Sequence, residues 1–128
     1  MCDHNHNKFT QTNFVVAKDY SYADVLEADR GLIFANDGSA ENQAMVTKDL
    51  VKEPLAPMAE PLQLTAAFAG VAKAYIRTTK DNAVSTPLQD MMIARAGVKQ
   101  VISLETGHAP FITAPGATAD AIIAALGE

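Results

Sequence analysis

Tyr75-Ile-Arg-Thr-Thr-Lys-Asp81 and Val101-Ile-Ser-Leu-Glu-Thr-Gly-His-Ala-Pro-Phe111 read as two buried strands, each running into a loop that carries one residue of catalytic type. Asp81 follows the first strand, which starts near Lys73, and His108 follows the second, which spans Gln100 to Leu104. Between them, Thr86 is placed as a helix cap, Pro87 as the first helical residue and Gln89 as the partner in a T-x-x-Q capping box. Gly97 ends that helix after Ala96. The last helix puts Ala119, Ile122, Ile123 and Leu126 at i, i+3, i+4 and i+7, a stripe expected to lie on a sheet. Strand, helix, strand, helix makes a right-handed βαβ unit with a covering helix, and hence an α/β class. In open α/β sheets the loops at the carboxyl ends of the strands build the site. Asp81 and His108 are on those loops.

Upstream, the pattern changes. Asn13-Phe-Val-Val-Ala-Lys18 reads as a strand, and Ser21 with Asp24 as a capping-box-like start for a helix to about Arg30, stopped by Gly31. Leu32 to Ala35 continues as an apolar helical or extended piece. Asn36-Asp-Gly-Ser39 is a turn whose serine caps a helix to about Val51. Glu53-Pro-Leu-Ala-Pro57 stops that helix and opens a proline-punctuated connector over 53–63. The expected organisation is therefore a flexible N-terminus over 1–12, a helical segment over 13–65 and an α/β portion over 66–128.

Composition narrows the classes. A chain of 128 residues fits one domain burying about two-thirds of its unfolded surface. The net charge of −5 argues against nucleic acid and anionic membrane surfaces as partners, since both attract lysine- and arginine-rich faces. A single cysteine rules out an internal disulfide framework. The polar start lacks the regions of a signal peptide, and no apolar run approaches the roughly 20 residues of a membrane span, so the cytoplasm is the expected location. Cys2, Asp3, His4 and His6 are metal-ligand types, and removal of Met1 would put His4 third from a free amine, which suits square-planar copper or nickel. No second ligand cluster closes a site and polar termini are commonly disordered. No metal and no cofactor are expected, and the methionines read as core or interface filler.

Acid before base is the order of the last two members of a nucleophile, acid, base triad. The nucleophile has no candidate. A nucleophile elbow needs glycine two residues before and two after the serine, because the tight turn leaves no room for side chains. Ser39 has Asp37 and Glu41 there, and Ser21, Ser85 and Ser103 lack flanking glycines too.

Ala74-Tyr-Ile-Arg-Thr-Thr-Lys-Asp81, Gln89, Gly107-His-Ala-Pro-Phe111 with Thr113 and Pro115, Asn36-Asp37 and Glu53-Pro-Leu-Ala-Pro57 together resemble bacterial α/β-hydrolases related to plant methyl esterases and hydroxynitrile lyases. The resemblance covers roughly residues 13 to 128 and implies a partial α/β-hydrolase fold, the cap followed by the last two core strands. It implies that Asp81 orients the histidine, that His108 is the general base, and that Phe14 to Pro57 forms a cap lining an apolar acyl or alcohol pocket. The oxyanion loop, the elbow serine and the central strands have no counterpart, and one oxyanion donor alone is worth about 10²–10³ in rate. The implied activity is hydrolysis of a small apolar carboxylic ester by an Asp81/His108 pair; a non-catalytic binding remnant and half of an enzyme completed by a partner chain stand as alternatives. A sheet edge left open invites pairing, so a homo-oligomer is expected.

Overall fold

The computed structural model describes residues 13–127. The ligand-type residues Cys2, Asp3, His4 and His6 and the flexible segment expected over 1–12 lie outside them. In chain order the elements are β1 (Phe14–Val16), β2 (Tyr22–Val25), α1 (Glu27–Phe34), α2 (Ala40–Asp49), β3 (Glu53–Pro54), α3 (Leu55–Ala59), α4 (Ala66–Gly70), β4 (Ala74–Thr78), α5 (Thr86–Ala96), β5 (Gln100–Leu104), α6 (Pro110–Thr113) and α7 (Pro115–Leu126).

The segment expected to be helical carries a sheet as well. β2 pairs antiparallel with β1, Phe14 facing Val25, and with β3, Ala23 facing Glu53. The helix expected to start at Ser21 is thus displaced, because Ser21 is used elsewhere: its N–H and hydroxyl both donate to Asp19 Oδ1, at 3.1 and 2.7 Å. Tyr20, at φ 59°, completes this turn. The alternation that follows suits a strand, with Ala23 and Val25 buried and Tyr22 and Asp24 half-buried.

Gly31, expected to end a helix, lies inside α1 instead. A Cβ at this position would stand 2.9 Å from both Gln43 Cβ and Gln43 O. Glycine is there for the close approach of α2, and the helix tolerates its lower propensity. Ser39 caps α2 as expected: its hydroxyl accepts from the Asn42 N–H at 3.1 Å, and Asn42 Oδ1 accepts from the Ser39 N–H at 3.2 Å. The helix ends at Asp49 rather than Val51. Arg30 closes it by donating to the carbonyls of Thr47 and Leu50, at 3.1 and 3.2 Å, while its other arm holds Asp24 at 2.8 Å.

β4 and β5 are parallel, in register from Ala74 opposite Gln100 to Thr78 opposite Leu104, with α5 between them in sequence. The N-cap of α5 is Ser85, one residue before the expected Thr86, and no side chain caps it. Gly97 ends the helix in the left-handed conformation, φ 63°. In α7 the buried residues are Thr118 and Ala121, while Ile122, Ile123 and Leu126 are exposed. The stripe expected on a sheet therefore faces solvent, because the small residues make the inner face and the described sheet is only two strands wide. Among the described residues no helix is long and apolar enough to cross a membrane.

Candidate active site

The parallel ladder does not stop where β4 and β5 end. The Thr79 N–H donates to Leu104 O and the Lys80 N–H to Thr106 O, both at 2.9 Å, so the two segments leave the sheet side by side. This extension brings Asp81 and His108 together: His108 Nδ1 lies 3.0 Å from Asp81 Oδ2 and 3.2 Å from Oδ1. The Asp81 side chain is 3% exposed and that of His108 37%. A buried acid thus faces a half-open base.

Asp81 is fully engaged. Oδ1 accepts the backbone N–H groups of Ala83 and Val84, each at 2.8 Å, and Oδ2 accepts the Thr78 hydroxyl at 2.9 Å. Burial pushes its carboxyl up, but the hydrogen bonds from His108, Val84 and Thr78 together with the attraction of His108 outweigh that and hold it below the ordinary 3.8. A carboxylate only accepts, so the imidazole Nδ1 carries a proton, and in the neutral ring Nε2 then keeps the lone pair. Such an arrangement can hold a neutral imidazole in its Nδ1–H tautomer.

Two supports were not evident in the sequence. The Gln89 side chain, expected to cap α5, is 1% exposed and turned inward. Its Nε2 donates to Thr78 O and Val84 O, both at 2.9 Å, and its Oε1 accepts the Thr78 N–H at 3.0 Å. The amide therefore serves Thr78 as the peptide group of an adjacent strand would, and ties the strand to the Asp81 loop. The end of α1 and its turn form the second support. Asn36 Nδ2 donates to Lys80 O at 2.9 Å, Asn82 Nδ2 to Leu32 O at 3.0 Å, and the Ala109 N–H to Phe34 O at 3.0 Å. The Phe34 ring lies 5.3 Å from the imidazole. Thr113 donates to Asp37 at 3.1 Å.

Two cavities border His108. One, of about 340 Å³, borders β2 and is lined by Phe14, Ala23, Val25 and Val84 together with Asp24 and Glu53. The other, of about 420 Å³, lies between α2 and α6 and is lined by Met45, Val46, Phe111 and Ile112 with Asp49. Phe34 and Leu50 line both. Among the described residues, no lysine or arginine lines either. None of the four serines hydrogen-bonds His108: Ser21 belongs to the β1–β2 turn, Ser39 caps α2, Ser85 stands at the N-cap of α5 and Ser103 lies within β5. No group of three or more metal-ligating side chains occurs among the described residues.

The fold has counterparts among known proteins. No family model matches the chain. It is 33% identical over 90 residues to a putative chloroplastic methylesterase of Arabidopsis thaliana, covering 69% of this chain and 23% of that protein. Its fold superposes on polyneuridine aldehyde esterase with a TM-score of 0.73 at 14% identity, covering 84% of this chain and 43% of the other. It matches a pyrethroid hydrolase from Sphingobium faniae with 0.76 at 19% identity, covering 89% and 47%. A methylesterase from Arabidopsis gives 0.76 at 19%, covering 84% and 47%. The chain carries part of the α/β-hydrolase fold and is related to the plant methylesterases. It spans about a quarter of the length of that curated relative and under half of each of these esterase structures. Within this partial α/β-hydrolase, Asp81 and His108 occupy adjacent loops at the carboxyl ends of adjacent parallel strands.

Proposed function

We propose that the chain supplies the acid–base pair of a carboxylic-ester hydrolase acting on small apolar esters. The observation that carries the proposal is the 3.0 Å contact between His108 Nδ1 and the buried Asp81 carboxylate. In this reading His108 Nε2 takes the proton of an attacking water or hydroxyl as its oxygen adds to the ester carbonyl. It then returns the proton to the departing alkoxide, while Asp81 stays ionised and favours the imidazolium. The mostly apolar linings of the two cavities, which include carboxylates but no lysine or arginine, support an uncharged ester. Hydrolysis of p-nitrophenyl butyrate by the wild type and by His108→Ala tests the reading. A clear excess of wild type over variant is expected, and equal rates would exclude a histidine-dependent esterase.

A second reading has its own support. No serine engages His108, and among the described residues β4 and β5 pair only with each other, so each has an open edge. The nucleophile and oxyanion donors would then come from polypeptide beyond residues 13–127, added along one of those edges. Mixing the chain with a polypeptide carrying the missing strands and an elbow serine should raise esterase activity above that of either alone.

A further inference from the structure

We propose that Asn36 is a positioning residue for the Asp81–His108 pair, holding both of its loops in place from the end of α1. The inference rests on the reading of that pair as the acid and base of the site.

Each member of the pair is flanked by a residue that Asn36 touches. Its Nδ2 donates to the carbonyl of Lys80, directly before Asp81, at 2.9 Å. Its Oδ1 is buried without a hydrogen-bond partner and faces Gly107, directly before His108; a Cβ added there would collide with that oxygen and stand 2.6 Å from Asp37 Oδ1. An unpartnered buried oxygen costs stability. Its effect is to fix the height at which the His108 loop rests against the Asp81 loop. The residues beyond the pair are tied to the same segment, Asn82 to Leu32 and Ala109 to Phe34. Asn36 meets both loops from outside them, from the turn joining α1 to α2. Those helices also line the cavities, through Phe34 from α1 and Met45 and Val46 from α2. A shift of α1 would therefore move the acid and the base together with the cavity wall.

The test reads the imidazole directly. In chain with ¹⁵N-labelled histidine, the His108 signals are assigned with His108→Ala, and their shifts report which ring nitrogen holds the proton. Asn36→Asp keeps the shape of the side chain but puts an acceptor against the Lys80 carbonyl; Asn36→Ser removes the amide and shortens the side chain without adding charge. In both, the Nδ1–H tautomer that dominates in the wild type should fall toward its level in Asp81→Ala while thermal melting stays cooperative. Where turnover is measured, kcat should drop about tenfold or more with KM within about twofold, since small misplacements near the reacting groups act on the rate. Wild-type histidine shifts in a folded Asn36→Asp or Asn36→Ser would overturn the proposal, as would loss of the fold in both. The shifts need no substrate. A chain that hydrolyses no ester yet loses the tautomer on Asn36 substitution would sink the esterase reading alone, whereas turnover with unmoved shifts would sink this proposal alone.

Discussion

His108 Nδ1 lies 3.0 Å from Asp81 Oδ2, although the residues are 27 positions apart and neither lies within a helix or strand. The relationship follows from the parallel ladder, which continues past both strands to Lys80 and Thr106. It is reinforced by Thr78, whose backbone and hydroxyl bond Gln89 and Asp81 from the last position of β4.

The Asp81 carboxyl titrates below its ordinary value in the folded chain, so the folded state binds its proton less readily than the unfolded state does. Its contribution to stability is then fully present above about pH 4, the unfolded carboxylate value, and is lost as the pH falls through the lower folded value. Urea unfolding of the wild type and Asp81→Asn should show a gap at pH 7 that narrows at pH 3. A gap that widens in acid would contradict the sign of the shift.

Gln89→Leu would leave the Thr78 N–H and the carbonyls of Thr78 and Val84 without their side-chain partner. At 1–3 kcal/mol for each buried unsatisfied group, partly relieved by relaxation, the expected loss is about 3 kcal/mol. Differential scanning calorimetry should record a melting point lower by about 10 °C. A fall of only a degree or two would mean that the buried amide is dispensable.

At Gly31 two effects oppose each other. Alanine would gain about 1 kcal/mol in helix propensity, but its Cβ would meet Gln43 Cβ and Gln43 O at 2.9 Å, and backbone does not yield as a flexible side chain does. Overpacking of this kind costs about 1–3 kcal/mol, so Gly31→Ala should destabilise the chain by about 1 kcal/mol in chemical denaturation. A stabilised variant would show that α2 can move away freely.

The exposed faces lead to an expectation about assembly. Met91 and Met92 of α5 and Ile122, Ile123 and Leu126 of α7 stand in solvent, next to a sheet of only two described strands. An apolar surface of this kind beside open edges favours association. Sedimentation equilibrium at micromolar concentration should give a mass above the 13.6 kDa of one chain, and Ile123→Glu should lower it. A wild-type mass near 13.6 kDa would exclude a stable homo-oligomer.

The later half of the chain was the more legible in sequence. Gln100 to Leu104 is a strand with the expected bounds, because its apolar run lies between clear turn signals, and Gly97 ends α5 for the stereochemical reason anticipated. The earlier half was misleading where a residue had two uses. Ser21 and Asp24 have the spacing of a cap, but Ser21 donates to Asp19 in a competing local turn and Asp24 pairs with Arg30 six residues on. Gly31 looked like a stop because its partner, Gln43, is twelve residues away in sequence. The pairing of Asp81 with His108 could be anticipated from strand order, whereas the roles of Gln89 and Asn36 could not, since a buried amide bridge leaves no local pattern.

The most direct test of the acid–base account is parallel measurement of p-nitrophenyl butyrate hydrolysis by the wild type, Asp81→Asn, His108→Ala and the double variant. Residues that act as a unit are not additive. Each single variant should lose about 10²-fold or more of the enzyme-dependent rate, and the double variant should be no slower than His108→Ala. Wild-type turnover in either single variant, or losses that multiply in the double variant, would contradict the claim that Asp81 and His108 work as one pair.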